Sequence, residues 1–145
     1  MPLDFDCQLE ITIDAPPVAV QKAVVEDIGQ WMVSPENNQS MQLRIEPFVG
    51  GRVFRDLGDG NGHLWAHISV LKSGLIEMTG PFANPLPAYS LIRFRFTESG
   101  ANQTKLTFTH QAVGAVMQEM LDGAPEGWKM ILEKGLKAHV ERRNH

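Results

Sequence analysis

The sequence contains few of the residues and motifs that mark a specific chemistry. Only one of its 145 residues, Cys7, is a cysteine, so no disulfide can form within the chain and stability has to come from packing. Cys7 has no neighbouring base in the sequence, which favours a spectator thiol over a nucleophile. The sequence has neither the Gly-x-Ser-x-Gly motif of a hydrolase nor a Gly-x-x-x-x-Gly-Lys phosphate loop. These absences exclude the commonest catalytic templates.

Long apolar runs are also missing. The longest are a few residues, far short of the ~20 that a membrane-spanning helix needs. Residues 1–6 lack the basic segment and the apolar stretch of a secretory signal. We therefore expect no stable insertion into a membrane and a cytoplasmic location.

The chain carries no excess of positive charge. Thirteen basic and seventeen acidic residues give a net charge of −4, which argues against a nucleic-acid partner, because phosphate binding needs a clustered positive field. With 43% hydrophobic and 21% charged residues, the composition is typical of a globular protein with a real core. The length and the lack of internal repeats predict one domain over residues 1–145.

The first two-thirds of the chain follow mainly a strand pattern. Apolar and polar residues alternate over 9–13 and predict a first strand. After the Asp-Ala-Pro-Pro segment at 14–17, apolar residues recur at helical spacing from Val18 until Gly29 ends the run. Hairpin-forming residues, including Asp-Gly and Asn-Gly pairs, separate the later segments and predict an antiparallel meander. Its six strands are expected near 41–48, 51–57, 63–72, 74–79, 88–97 and 104–110.

After His110 the periodicity changes to that of helices. A short helical turn is predicted over 116–121 and closed by the Asp-Gly-Ala-Pro segment at 122–125. From Glu126 onward an apolar stripe predicts a long C-terminal helix that lies across the sheet. Gly135 inside this helix costs about 1 kcal/mol relative to alanine, which indicates close backbone packing or room for a ligand.

Four motifs in this order carry a resemblance to a known superfamily. They lie at residues 11–20, 50–54 (Gly-Gly-Arg-Val-Phe), 106–110 (Leu-Thr-Phe-Thr-His) and 126–132 (Glu-Gly-Trp-Lys-Met-Ile-Leu). The chain resembles the START/Bet v 1-like (SRPBCC) superfamily, and its motifs are similar to the branch related to the C-terminal domain of the activator of Hsp90 ATPase. The resemblance implies an α+β helix-grip fold, in which a curved antiparallel sheet of about seven strands wraps around the long C-terminal helix.

The resemblance also implies a function. Members of the superfamily enclose a cavity between sheet and helix that holds a small hydrophobic or amphipathic ligand, and no cofactor is expected. One alternative is a cyclase-type enzyme that acts on a polyketide-like or aromatic substrate, so the question of enzymatic activity stays open. Another is a chaperone-associated interaction domain related to the activator of Hsp90 ATPase. A homodimer through the outer face of the sheet is compatible with all three.

Strand alternation predicts which side chains face the cavity. Phe94 and Phe96 share one face of their strand, as do Phe108 and His110 of the next, and these faces should point inward. His110 is interpreted either as a core histidine that bonds a backbone carbonyl or a water, or as a group that orients a ligand or shuttles a proton.

The strand at 63–72 is ambiguous. Its even-numbered residues from 64 to 70 form the more apolar face, whereas the odd-numbered residues from 63 to 69 form an amphipathic face typical of a ligand pocket. If the second face points inward, Trp65 and His67 contact the ligand; if it points outward, they belong to a surface suited to dimerisation. His63 and His67 would lie about 13 Å apart on a strand, too far to share a metal ion.

Two further tryptophans complete the predicted site. Trp128, in the first turn of the long helix, is expected to face the sheet, either as a core residue or, as we favour, as a cavity wall. Trp31 is expected at the cavity mouth, with residues 81–87 as the rim loop; the alternative is that Trp31 is an ordinary capping aromatic. No catalytic residue is assigned and no metal site is expected. The predicted ligand-binding residues are Trp31, Phe54, Trp65, His67, Met78, Phe94, Phe96, Phe108, His110, Trp128 and Leu132.

Overall fold

The computed structural model describes residues 2–143, and the strands in this part of the chain form one antiparallel sheet. The sheet is curved and open, with the order β1-β7-β6-β5-β4-β3-β2, so β2 to β7 form the predicted meander and β1 adds to its last strand. The strands are β1 (Phe5–Ile13), β2 (Leu43–Ile45), β3 (Arg52–Gly58), β4 (Asn61–Lys72), β5 (Leu75–Gly80), β6 (Ala88–Glu98) and β7 (Thr104–Gly114).

Two short helices follow β1. They are α1 (Pro17–Glu26) and α2 (Ile28–Trp31), so the predicted helical segment is present but is interrupted at Asp27. The Asp27 carboxylate lies at this break and contacts the C-terminal end of the chain, with its Oδ2 3.0 Å from Nε2 of His139. The break between α1 and α2 thus coincides with a polar contact to the helix that contains His139.

The C-terminal helix is longer than predicted and runs over 118–143. It consists of α3 (Gln118–Met130), a π-helical segment (Ile131–Lys137) and α4 (Ala138–Arg143). The prediction that residues 122–125 end a separate helical turn is wrong, because Pro125 lies inside α3. Met120 and Ala124 pack against the core in line with buried Trp128, so the packed face continues past the proline.

Gly135 lies where the C-terminal helix passes closest to α2. A Cβ atom at this position would be 2.3 Å from the carbonyl oxygen of Trp31, a distance that no real contact reaches. Of the two predicted reasons for this glycine, close backbone packing is therefore the one that applies. The π-helical segment lies at this same crossing.

The core lies between the inner face of the sheet and the helices. The curved sheet, α1, α2 and the long C-terminal helix together form the helix-grip arrangement that the family resemblance implies. Trp128, Ile131, Leu132, Leu136 and Val140 of the C-terminal helix all belong to one buried cluster with the inward residues of the strands.

Two bulges in β4 resolve the ambiguity of this strand. Val53 pairs with Ala66 and Phe54 with Leu64, so residue 65 is extra on its strand, and a second irregularity follows Ile68. Each bulge moves the inward set by one residue. Ala66 and Ile68, which lie between the two bulges, are buried. Trp65, the extra residue of the first bulge, packs against buried Phe82 with 5.0 Å between the ring centroids. Neither predicted face is inward along the whole strand.

Candidate functional site

Most of the predicted ligand-binding residues lie in the core. Their side chains are at most 6% exposed, and they come from β5, β6, β7, α2 and the C-terminal helix. The buried members of the set are Trp31, Met78, Phe94, Phe96, Phe108, His110, Trp128 and Leu132.

Two predicted residues face away from this interior. Phe54 follows fully buried Val53 in β3 and therefore points to the outer face, where the Arg52 guanidinium lies 4.5 Å from its ring centre. His67 pairs with exposed Arg52 and is itself exposed. The prediction that Phe54 and His67 line the interior is wrong in its facing. For His67 the reason is the first bulge of β4, which the sequence does not reveal. Phe54 simply alternates with inward Val53 on its own strand.

Trp31 does not lie at a cavity mouth. Its side chain is 1% exposed and its indole N–H donates to the carbonyl of Ala23 at 3.0 Å. The ring packs edge-on against Phe94, with 6.5 Å between centroids. Trp31 therefore fixes α2 to α1 and to the sheet, and its predicted position at the rim is wrong.

His110 forms the centre of a buried polar chain. The indole N–H of Trp128 donates to Nδ1 of His110 at 3.0 Å, and Nε2 lies 3.0 Å from Oγ of Ser90. Since Nδ1 accepts, the neutral ring carries its proton on Nε2 and donates it to the Ser90 hydroxyl. The core interpretation of His110 thus needs neither a backbone carbonyl nor a water, because two side chains satisfy the ring.

Burial sets the charge state of this histidine. Desolvation lowers the pKa of His110 from 6.5 to about 4, because the charged ring loses its hydration in the core. His110 is therefore neutral at pH 7, which agrees with a ring that accepts a hydrogen bond from Trp128.

Aromatic rings fill the space around His110. The centroids of Phe108 and Trp128 are 4.4 Å apart, and those of Phe94 and Phe108 are 5.3 Å apart. Phe82, from the loop at 81–87, reaches into the same cluster at 5.8 Å from both His110 and Trp128. Side chains predicted to line a cavity thus contact one another, and Phe82 separates them from the outside.

The loop at 81–87, which we call the rim loop, is built around unusual backbone angles. Phe82 and Ala83 have φ values of 44° and 64°, in the left-handed region that bulky residues rarely adopt. The Phe82 N–H donates to the carbonyl of Trp65 at 2.8 Å. This geometry turns the Phe82 side chain inward while its exposed neighbours face a groove.

A groove lies between the rim loop and β3–β4, and we call it the rim groove. Its volume is about 350 Å³, and it opens to solvent beside Trp65, Pro81 and Pro85. Arg55 and His63 are its titratable residues. The residues that line it are Arg55, His63, Leu64, Trp65, Pro81, Ala83, Asn84 and Pro85.

Asn84 attaches the rim loop to the start of the C-terminal helix. Its side chain is 6% exposed. The amide nitrogen donates to the carbonyls of Leu86 and Ala115 at 2.8 and 3.0 Å, and the amide oxygen accepts the N–H of Met117 at 3.0 Å. One side chain therefore holds one wall of the rim groove in place.

We expect the Asn84→Ala substitution to lower the free energy of unfolding by about 1–2 kcal/mol, because three backbone groups lose their partner. The exposed Asn61, which bonds only within its own hairpin, provides the matched control, and Asn61→Ala should change stability by less than about 0.5 kcal/mol. Urea unfolding of both variants measures the difference. Equal losses would contradict the anchoring role of Asn84.

The described residues offer neither a metal cluster nor a membrane span. Within 2–143 no three His, Cys, Asp or Glu side chains come together in a way that could hold an ion. No helix in this part of the chain has the length and apolarity needed to cross a bilayer. Cys7 is buried, and burial raises the pKa of its thiol, which disfavours the reactive thiolate.

Comparison with protein families decides the relationship that the motifs indicated. The model described as Activator of Hsp90 ATPase homolog 1-like protein matches residues 14–141. The chain belongs to this family. Comparison with curated proteins gave no match.

Solved structures of several bacterial proteins share the fold of this chain at low sequence identity. A conserved protein of unknown function from Enterococcus faecalis has a TM-score of 0.71 and 20% identity, with 95% of this chain and 72% of that chain covered. A protein from Chromobacterium violaceum has a TM-score of 0.71 and 18% identity over 94% and 96% of the two chains. The Zhui aromatase/cyclase from a Streptomyces species has a TM-score of 0.59 and 18% identity over 97% and 96%.

In this member of the activator of Hsp90 ATPase homolog 1-like family, the predicted ligand-binding set omits Ser90 and Arg55, and it omits Phe82 and Asn84 although both lie in the loop predicted as the rim. Ser90 has the parity of Phe94 and Phe96, and Arg55 has the parity of Val53, so alternation could have identified both. Phe82 and Asn84 carried no such signal, because a proline-rich loop has no periodicity that separates inward from outward side chains. Their positions depend on backbone angles and on partners distant in sequence.

Proposed function

We propose that the protein binds a small apolar or amphipathic molecule at the rim groove, against Trp65, Pro81 and Pro85. The observation that carries this proposal is an open groove of about 350 Å³ with a mainly apolar lining, which lies next to a buried aromatic cluster. This volume is at the lower end of known ligand sites. A ligand would be held mainly by burial of apolar surface.

Phe82 gives the site a second feature. Its ring lies between Trp65 on the groove side and His110 and Trp128 on the inner side. A ligand in the rim groove therefore contacts the side chains that surround the ring of Phe82 and not His110 itself. His110 positions Trp128, and the predicted direct contact of His110 with a ligand stays a proposal that requires Phe82 to move.

The cyclase alternative rests on the shared fold with a named aromatase/cyclase and on buried His110. Both ring nitrogens of His110 are already engaged, by Trp128 and Ser90, and its side chain is 1% exposed. Direct proton transfer to a substrate in the rim groove is therefore disfavoured. If a His110→Ala variant lost turnover but still bound the substrate, this result would support the cyclase alternative.

The binding proposal is tested with purified protein and a panel of fatty acids, phenolics and polyketide-like aromatics. We expect one class to raise the melting temperature, since a ligand that binds only the folded state at 100 times its Kd adds about 2.7 kcal/mol. Native mass spectrometry should detect the same complex. If no compound raises the melting temperature and none is retained, the proposal is wrong.

A matched pair of leucines locates the site. Leu64 lines the rim groove, whereas Leu57 does not, and they are 46% and 47% exposed. Leu64→Asn should weaken binding of the selected ligand about fivefold through lost apolar contact, and Leu57→Asn should leave it unchanged. Equal affinities of the two variants would place the ligand elsewhere.

A further inference from the structure

Arg55 is a cation on the inner face of the sheet. In the strand register it pairs with Leu43 on one side and with His63 on the other, and cross-strand partners share a face. Leu43 is 2% exposed, so this face is the one that packs toward the interior. Arg55 thus lies at the margin of the core, where it lines the rim groove.

The other arginines around this part of the sheet have carboxylate partners. Arg44 pairs with Asp56 at 2.8 Å, Arg52 with Glu46 at 2.8 Å, and Arg93 with Glu77 at 2.6 Å. Among residues 2–143 none forms a hydrogen bond or ion pair with the Arg55 side chain, and its Nε is shielded from solvent without a partner. A buried N–H without an acceptor destabilises the folded protein, so a ligand that supplies the acceptor is favoured.

The lining of the rim groove supplies no negative charge. Its other members are His63, the amide of Asn84, which is bound to backbone groups, and apolar side chains. The Asp56 carboxylate, next in sequence to Arg55, is engaged by Arg44. The groove therefore combines an apolar wall with one uncompensated guanidinium.

We propose that the rim groove binds the carboxylate end of a small amphipathic acid, with the Arg55 guanidinium as its counter-charge. This inference rests on the proposed function and names the class of its ligand. A guanidinium offers two parallel N–H groups to a carboxylate, a stronger and more directional contact than a neutral hydrogen bond. The apolar part of the acid would lie against Trp65, Pro81 and Pro85.

Isothermal titration calorimetry with two matched pairs of probes tests the inference. The pairs are 2-naphthoate with 2-naphthamide, and decanoate with decanamide, which differ in charge but hardly in shape. We expect each acid to bind the unmodified protein at least tenfold more tightly than its amide. The Arg55→Met variant, which keeps the length of the side chain, should bind acid and amide equally.

The exposed Arg95 on the outer face of β6 provides the control. Arg95→Met removes the same charge from the chain and should keep the preference for the acids. Arg55→Lys keeps the charge without the forked geometry and should retain only part of the preference. Thermal unfolding of Arg55→Met should occur at the same or a higher temperature, because the variant no longer buries an unpaired N–H.

The outcomes separate this inference from the proposed function. Equal binding of acids and amides to the unmodified protein would overturn the role of Arg55 and leave the proposed function standing. A preference that survives in Arg55→Met would overturn the assignment of the anion site to the rim groove. Binding of none of the four probes would count against both proposals.

Discussion

Acidification from pH 6.5 to pH 4 is expected to lower the free energy of unfolding by about 3 kcal/mol through His110 alone. In the folded protein burial lowers the pKa of His110 to about 4, whereas in the unfolded chain the ring regains the ordinary value of 6.5. Between these two values the unfolded chain binds a proton that the folded protein does not. The contribution of His110 to the free energy of unfolding is therefore present above pH 6.5. It is lost progressively as the pH falls, and the loss levels off below about pH 4.

A non-titrating substitution isolates this contribution from that of the carboxylates. In His110→Gln the amide oxygen can accept the Trp128 N–H, and the amide nitrogen can donate to Ser90. We expect the variant to be less stable at pH 7 but to lose about 3 kcal/mol less than the unmodified protein on acidification. Urea unfolding at several pH values measures how the free energy of unfolding depends on pH in the unmodified protein and in the variant.

His67→Gln is the matched control for this experiment, because His67 is exposed on the outer face. It makes the same chemical change without touching the buried chain of Ser90, His110 and Trp128. Parallel pH profiles for the unmodified protein and His110→Gln would show that the histidine is not the group that titrates.

Gly135→Ala and Gly123→Ala are expected to change the free energy of unfolding in opposite directions, although both glycines lie in the C-terminal helix. Gly135→Ala should lower the free energy of unfolding by about 2 kcal/mol, within the range for overpacked sites. The new Cβ would lie 2.3 Å from the Trp31 carbonyl oxygen, and Trp31 cannot move cheaply because its indole is buried and bonded to Ala23.

At Gly123 a new Cβ would meet no atom within 4 Å. Gly123→Ala should therefore raise stability by up to about 1 kcal/mol, because alanine is the better helix former. Thermal and urea unfolding of the two variants give the comparison. A change of the same sign in both would contradict the close approach of the C-terminal helix to α2.

The sequence was most informative where strands are regular. In β6 and β7 simple alternation placed Phe94, Phe96, Phe108 and His110 on the inner face, and all four are buried. Each strand there pairs without a break in register, so one side-chain direction predicts the next. The meander of β2 to β7 followed for the same reason, whereas the helix-grip arrangement was implied by the family resemblance.

The same rule failed in β4 because a bulge reverses it. Trp65 and Ala66 are neighbours in sequence, yet Trp65 packs on Phe82 and Ala66 is buried. An extra residue on one strand is defined by the hydrogen bonds of the pair, which alternation within a single strand does not contain. The rim groove forms beside this bulge, so the candidate site coincides with the part of the sheet that sequence periodicity describes least well.

Pro125 misled the prediction of the C-terminal helix for a different reason. Proline and glycine disfavour helix interiors by intrinsic propensity, but Met120, Ala124 and Trp128 together pack against the core. Tertiary packing outweighs a local preference of this size when several apolar residues share a face. Local signals therefore marked a helix end that the packed chain does not have.

The pairing of β1 with β7 has a consequence for how the chain reaches its folded state. Phe5 pairs with Ala112 and Ile13 with Thr104, so these contacts close loops of roughly a hundred residues. The chain loses conformational entropy when such a loop closes, and it does so before the contacts can stabilise the structure. During synthesis β1 leaves the ribosome first but has no partner strand until nearly the whole sheet has been made. The meander of β2 to β7 contains only local hairpins and has no such delay, which makes the docking of β1 a natural late step of folding.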